Sequence, residues 1–172
     1  MSAGRSDASR SAARTAVVWD ALQAAFGVGT GLSVVDVGGG TGGFAVRVAE
    51  LGHRVTVVDP SPDALAILAR RAEESGVAGR VVARQGDLAG LRDLVPPGSA
   101  DVVLCHGVLG IVDDPAAALG GIADALHPGG ALSLLVNQRH AAVFARAMAG
   151  HFEQAKALLD PATDPGPAGR RF

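Results

Sequence analysis

Five short segments rich in valine and leucine alternate along this 172-residue chain with segments of helical periodicity, and this alternation constrains the fold most. Continuous apolar strands between helices are typical of a parallel sheet with helices on both faces. Because crossovers between parallel strands are right-handed, the order of elements predicts an α/β fold with a doubly wound parallel sheet. We expect strands at residues 32–37, 54–58, 80–84, 101–106 and 131–136.

The intervening segments predict helices with recognisable ends. Ser61 and Pro62 are typical of a helix N-cap and first helical position, and Gly52 and Gly76 follow predicted helix ends. The run from His127 to Gly130 predicts a turn before the fifth strand. We expect helices at residues 11–25, 44–51, 61–75, 114–126 and 139–159. The last is predicted as one continuous helix whose apolar face packs into the core through Val143, Phe144, Ala147 and Met148.

Composition and charge exclude several classes of protein. Hydrophobic residues make up 48% of the chain, enough for one buried core, while aromatic residues make up 3% and tyrosine is absent. A net charge of −2 gives no overall electrostatic footprint for nucleic acid. The single cysteine, Cys105, allows no internal disulfide and is expected to be a packing residue. The histidine spacings indicate no metal site, and with no signal peptide or membrane span in view we expect a cytoplasmic protein.

The glycine run from Gly38 to Gly43 follows the first strand directly and opens a helix, so its backbone amides can approach a ligand closely. The run fits two templates. Gly38, Gly40 and Gly43 have the spacing of the dinucleotide fingerprint, with Asp59 at the position of its ribose-binding acid. Gly38, Gly40 and Gly42 have the spacing found in S-adenosylmethionine-binding enzymes. The run alone therefore leaves a nicotinamide cofactor and S-adenosyl-L-methionine both open.

Three acids at the predicted strand ends favour the second cofactor. Asp36 stands two residues before the first glycine, where a carboxylate suits an ammonium group and repels a pyrophosphate. Asp59 ends the second strand, where it can accept from ribose hydroxyls. Asp87, in the sequence Gly86-Asp87, follows the third strand, where it can accept from an adenine amino group. An equally simple interpretation of Asp87 is the N-cap of a following short helix.

The ordered motifs of the chain resemble those of class I S-adenosylmethionine-dependent methyltransferases. The resemblance covers about residues 11–160, and within the superfamily it is strongest to the branch that contains the tRNA carboxymethoxyuridine methyltransferase. One departure is Gly110, where members of that branch have glutamate. The motifs are residues 35–42, 57–59, 86–87, 101–106 and 126–130, and the branch resemblance rests on residues 14–20, 106–115 and 132–137.

The resemblance implies a role for each site residue. Arg14 would reach the methionine carboxylate of the cofactor, and the glycines Gly38, Gly39, Gly40 and Gly42 would pass along the cofactor. Asp59 would hold the ribose, and Gly86 and Asp87 would flank the adenine. His106 would lie near the transferred methyl group and is the candidate catalytic base; without the resemblance, a structural histidine is as good an interpretation.

The resemblance also sets expectations for the whole protein. Residues 1–10 are predicted to be a disordered tail, residues 11–160 the cofactor-binding domain, and residues 161–172 a loop leading to a missing C-terminal strand pair. We expect methyl transfer to an oxygen or nitrogen nucleophile of a small molecule or a modified tRNA base. The alternatives are a cofactor-binding module without activity and a nicotinamide-dependent oxidoreductase. The uncovered edge of the fifth strand is expected to allow pairing with a second copy of the chain.

Overall fold

The computed structural model describes residues 15–23, 26, 29–136 and 138–159. The tail predicted at residues 1–10, Arg14 and the loop predicted at residues 161–172 lie outside these residues. The helices are α1 (residues 15–23 and 26), α2 (Ala45–Glu50), α3 (Pro62–Glu74), α4 (Leu91–Leu94), α5 (Pro115–Ala125), α6 (Arg139–Met148) and α7 (Phe152–Leu159). The strands are β1 (Ser33–Val37), β2 (Arg54–Asp59), β3 (Val81–Gln85), β4 (Ala100–His106) and β5 (Leu126–Leu135).

The five strands form one sheet in the order β3-β2-β1-β4-β5, and every neighbouring pair is parallel. This confirms the predicted doubly wound sheet. The strand order reverses between β1 and β4, and the last pair in their register is Val37 with Cys105. In sheets of this kind a ligand binds in the crevice outside the carboxyl ends of the strands at such a reversal.

Successive residues of the central strands β1, β2 and β4 pack into different helix layers, because side chains alternate across a sheet. In β1, Val34 packs with α1, α2 and α3, and Val35 packs with α4 and α5. Leu22 and Leu68 are fully buried in the first layer, and Leu91 and Ile122 in the second. The central strands are thus buried on both faces, whereas the residues of β3 and β5 are half-buried or exposed.

The predicted single helix at residues 139–159 is wrong. Helix α6 ends with a pair of hydrogen bonds in which Gly150 N donates to Ala147 O (3.0 Å) and His151 N donates to Arg146 O (2.9 Å). Gly150 has φ +80°, the left-handed conformation that this type of helix end requires. The chain then turns back, and α7 packs against α6.

The predicted core face of this segment is wrong as well. Phe144 is 68% exposed and Met148 is 73% exposed, so among the described residues neither is covered. The reason is the turn at Gly150, which directs α7 onto α6, so that Ala155 is the buried residue of the hairpin.

The turn predicted at His127–Gly130 is instead a bulge within β5. Ala100 pairs with Leu126 and Val102 pairs with Ala131, so four residues of β5 stand opposite the single residue Asp101. The His127 ring is hydrogen-bonded to the Asp101 carboxylate at 3.0 Å, and Ser33 N donates to the same carboxylate at 2.7 Å. These contacts tie the amino ends of β1, β4 and β5 together, away from the crevice.

Candidate functional site

Two cavities lie at the carboxyl edge of the sheet, where β1 and β4 end. The larger has a volume of about 680 Å³ and extends past Asp59 and Asp87 to the start of α5. The smaller has a volume of about 240 Å³ and extends past Asp36 and Phe44 to α1. Gly38, His106 and Gly107 border both cavities, so the two meet at the reversal of strand order.

The loop that carries Gly38 and Gly39 lies where the two cavities meet. Neighbouring side chains leave no room for a Cβ atom at either residue. A Cβ atom on Gly38 would collide with Cγ2 of Val108, and Gly38 has φ +71°, which L-residues rarely adopt. A Cβ atom on Gly39 would lie 2.5 Å from Oδ2 of Asp36. Gly40 and Gly42 shape the turn without bordering either cavity. The glycines therefore keep the backbone open to a ligand at this point.

Asp59 is held firmly at the end of β2 by two backbone amides. Gly40 N donates to Oδ2 and Ser61 N donates to Oδ1, each at 2.9 Å. The residue is buried yet borders the larger cavity. Each carboxylate oxygen retains a further lone pair, so Asp59 can accept hydrogen bonds from a pair of ligand hydroxyls.

Asp36 differs from Asp59 in its hydrogen bonding. It is 3% exposed, borders the smaller cavity, and its Oδ2 atom has no hydrogen-bond partner. Burial and the nearby charge of Asp59 raise the pKa of the Asp36 carboxyl to about 7. A buried carboxyl group without a donor beside it indicates a position at which a ligand is to supply one.

Gly86 and Asp87 follow β3 at the far side of the larger cavity. Asp87 borders the cavity, and its Oδ1 atom accepts from Gly90 N at 3.0 Å. Asp87 therefore caps the turn before α4, while the N-cap of α4 itself is Gly90. A Cβ atom on Gly86 would collide with Cδ1 of Leu94, so this glycine allows α4 to pack closely behind the cavity.

His106 ends β4 and faces both cavities. Its Nε2 atom is hydrogen-bonded to Oγ of Ser133 at 2.9 Å, and its Nδ1 atom is buried without a partner. The edge of the ring contacts Phe44, with ring centroids 5.1 Å apart. Burial lowers the pKa of His106, so the imidazole is neutral at neutral pH and holds one proton between its two nitrogens.

Ser133 and Phe44 are site residues that the sequence analysis missed. Ser133 pairs in register with Leu104 on β4, and its contact with His106 arises only from the pairing of the two strands. Phe44 continues a stack to Trp19, whose ring lies 6.4 Å away, and Arg47 lies 3.9 Å above the Trp19 ring. These contacts dock α1 against the smaller cavity, which Thr15 borders directly. Arg14, the residue before Thr15, is outside the described part of the chain.

The structure also bears on the expectations for Cys105, for a metal site and for a membrane span. Cys105 is fully buried, and burial raises the pKa of its thiol, in keeping with a packing residue. Among residues 15–159 where described, no cluster of three or more His, Cys, Asp or Glu side chains could hold a metal ion. In the same residues, no helix has the length and apolar character needed to cross a membrane.

The fold and the two-part cleft define a class of protein, an open α/β domain that takes a nucleoside-bearing ligand at the reversal of its strand order. Comparison with known proteins identifies the family. Residues 34–130 match the family model described as a methyltransferase domain, and the chain belongs to this family, within the class I S-adenosylmethionine-dependent methyltransferases.

Named relatives agree with this assignment. The chain is 34% identical over 130 residues to the tRNA 5-carboxymethoxyuridine methyltransferase of Escherichia coli (strain K12), covering 73% of this chain and 48% of that protein. It is 38% identical over 121 residues to a ubiquinone biosynthesis O-methyltransferase of Xanthomonas euvesicatoria pv. vesicatoria (strain 85-10), covering 70% of this chain and 49% of that protein. The chain thus spans about half the length of these relatives.

A solved structure supports the cofactor. The S-adenosylmethionine-dependent methyltransferase from Geobacter sulfurreducens, in complex with S-adenosyl-L-homocysteine, superposes with a TM-score of 0.55 at 33% identity, covering 66% of this chain and 45% of that one. S-adenosyl-L-methionine is the cofactor of the family, and the nicotinamide alternative finds no support among these relatives.

Proposed function

We propose that the protein containing this chain transfers a methyl group from S-adenosyl-L-methionine to an oxygen or nitrogen nucleophile. The observation that carries the proposal is the pair of acid-lined cavities that meet at Gly38 and His106. The cofactor has an amino-acid end and a nucleoside end joined by one sulfur atom. Two cavities of unequal size that meet at one point match a ligand of this form.

In this proposal each cavity takes one end of the cofactor. In the smaller cavity, Asp36 would receive the ammonium group, and Arg14 would approach the carboxylate from the residue before Thr15. In the larger cavity, Asp59 would accept from the ribose hydroxyls and Asp87 from the adenine amino group. Gly38 and Gly39 would let the backbone approach the methionine portion, since neither has space for a side chain.

His106 would act where the two cavities meet. When bound, the cofactor supplies a methyl group on a positively charged sulfur, which is already a good electrophile. The protein then mainly aligns the acceptor with that methyl group. A neutral imidazole with a lone pair can take the proton that a hydroxyl or amine acceptor loses, which assigns His106 as the general base. An acidic acceptor such as a carboxylate would need His106 only as a contact.

The charged residues that border the larger cavity favour a small-molecule acceptor over tRNA. Asp87, Asp113 and Asp114 border the larger cavity, and Arg92, the one arginine that borders it in the described part of the chain, is paired with Asp124 at 2.7 Å. Carboxylates repel a phosphate backbone, whereas a nucleic-acid site neutralises it with Lys and Arg. Ile111, which is exposed and borders the same cavity, offers a surface for an apolar part of the acceptor.

Titration calorimetry with S-adenosylhomocysteine, run beside NAD, tests the proposal. We expect S-adenosylhomocysteine to bind and NAD not to bind. Asp59→Ala is expected to weaken binding by about 1–3 kcal/mol, because the ribose hydroxyls lose their acceptor. The matched control is Asp63→Ala, which removes an exposed acid in the first turn of α3 that borders neither cavity.

Asp59 also anchors Gly40 and Ser61, so Asp59→Asn, which keeps one acceptor oxygen, is measured in parallel with circular dichroism of both variants. Wild-type affinity in a folded Asp59→Ala would remove the ribose assignment. Binding of NAD without S-adenosylhomocysteine would overturn the proposed function itself.

A further inference from the structure

Asp36 and Asp59 are both buried acids of the same cleft, but their carboxyl groups differ in hydrogen bonding. Asp59 accepts two backbone hydrogen bonds, whereas Oδ2 of Asp36 accepts none. Asp36 is central in the sheet, since it pairs with Val57 on β2 and Leu104 on β4. It is 3% exposed and borders the smaller cavity. A carboxylate in this position would be a buried charge without compensation.

Among the described residues, the groups around Asp36 do not supply a positive charge. Asp59, on β2, carries a like charge that disfavours ionisation of Asp36. Cys105 and His106, on β4, are both neutral near pH 7, because burial raises the pKa of the thiol and lowers that of the imidazole. On the described part of α1, the residues that border the cavity are Thr15 and Val18, which are uncharged. Below its raised pKa of about 7, Asp36 is therefore more stable with its proton bound until a cation arrives.

We propose that Asp36 is a specificity-determining residue that holds a proton in the free protein and releases it when the ammonium group of a ligand enters the smaller cavity. This inference rests on the proposed function. The exchange is balanced: the carboxyl group loses one proton to solvent, the ammonium group keeps its three protons, and a carboxylate–ammonium pair forms. No covalent bond changes.

The inference separates two classes of ligand. S-adenosylhomocysteine carries an amino-acid end and brings an ammonium group to Asp36. 5′-Methylthioadenosine has the same nucleoside and thioether but lacks that end, so it fills the larger cavity without affecting Asp36. The first ligand is expected to release a proton on binding and the second to release none.

Calorimetry in two buffers of different ionisation enthalpy counts the released protons, since the observed enthalpy changes in proportion to them. With the pKa of Asp36 raised to about 7 in the free protein, S-adenosylhomocysteine is expected to release roughly three quarters of a proton at pH 6.5 and about a tenth of one at pH 8. 5′-Methylthioadenosine is expected to give a buffer-independent enthalpy at both pH values.

Two variants test whether the proton released on ligand binding comes from Asp36. Asp36→Asn is expected to bind S-adenosylhomocysteine with no proton release at pH 6.5. Asp87→Asn, which changes an acid at the opposite end of the cleft, is expected to bind more weakly and to release as much as the wild type. If Asp36→Asn does not fold, infrared difference spectroscopy of the wild type gives the same information, through loss of a protonated-carboxyl band when S-adenosylhomocysteine is added.

The possible failures are distinguishable. Binding of S-adenosylhomocysteine with no proton release at pH 6.5 would overturn the role of Asp36 and leave the proposed function standing. If Asp36→Asn releases as many protons as the wild type, the proton comes from another group, and this result would also overturn the role of Asp36. No binding of S-adenosylhomocysteine at all would overturn both.

Discussion

At the scale of single residues, the site depends on groups whose hydrogen-bonding capacity is only partly used. His106 has one nitrogen bonded to Ser133 and one buried without a partner. The Ser133 hydroxyl can donate to Nε2 or accept from it, so the contact is compatible with either tautomer but holds the ring in one orientation. Ser133 is thus a positioning residue for a side chain that borders both cavities.

We expect Ser133→Ala to change the environment of the His106 ring, because Nε2 loses its hydrogen-bond partner and the ring is no longer held in one orientation. The measurement is the 15N chemical shifts of the His106 ring, with the exposed His140 ring as the internal control. Ser133→Thr keeps the hydroxyl and is expected to restore the wild-type shifts. Unchanged shifts in Ser133→Ala would exclude a positioning role.

The proposed role of His106 as a general base predicts the effect of removing its side chain on kcat. With any acceptor that the protein methylates through a hydroxyl or amine, His106→Ala is expected to lower kcat by about 10²-fold or more, the usual contribution of a general base. The affinity for S-adenosylhomocysteine is expected to stay close to that of the wild type. An unchanged kcat would reduce His106 to a contact residue.

At the scale of elements, the turn at Gly150 separates two helices that the apolar periodicity joins. Gly150→Ala places a side chain at φ +80° and is expected to destabilise the α6–α7 hairpin by about 1 kcal/mol. Gly121→Ala is the matched control, because Gly121 lies inside α5 and its added Cβ would make only an ordinary contact at 4.0 Å with Arg92. That change is expected to stabilise α5 by about 0.5–1 kcal/mol.

Hydrogen exchange of the two segments measures both effects, since local opening free energies are read segment by segment. Exchange in α6 and α7 is expected to become faster in Gly150→Ala, and exchange in α5 slower in Gly121→Ala. Slower exchange in α6 and α7 in Gly150→Ala would contradict the left-handed turn, because that is the result expected for a glycine inside one continuous helix.

The sequence predicts the elements whose signals are local. The five strands, the glycine turn and the helix that begins at Pro62 each carry their own apolar run, glycine spacing or capping residue, and each is present. The contact of Ser133 with His106 depends on the register of two strands, which no local pattern specifies. Gly150 did carry a local signal, and the apolar periodicity on both sides of it obscured that signal. The roles of Asp36, Asp59 and Asp87 stay predictions.

At the scale of the whole molecule, β3 and β5 are the two edge strands of the sheet, and β5 is the one that the sequence predicts to pair with a second copy. β5 pairs only with β4 within the described residues, and its Leu134 is 41% exposed. Phe144 and Phe152, on the neighbouring helices, are largely exposed as well. Unpaired strand edges with apolar side chains are templates for pairing with another chain.

We propose that the 172-residue chain by itself forms dimers through β5. Analytical ultracentrifugation is expected to show a concentration-dependent dimer, and Leu134→Lys is expected to return the protein to a monomer, because an edge lysine opposes pairing. Val82→Lys, on the exposed outer strand β3, is the matched control and is expected to leave the dimer intact. A monomer at every concentration would contradict the proposal.

The meeting of the two cavities at Gly38, His106 and Gly107 has a consequence for how tightly each half of a ligand must bind. Once one end of a joined molecule is seated, the other end searches for its cavity at a local concentration in the millimolar range or above. If the cofactor binds as proposed, neither cavity needs strong contacts of its own. Free methionine and free adenosine, added together, are then expected to bind only weakly, because they lack the bond between sulfur and C5′ that makes the second binding event intramolecular.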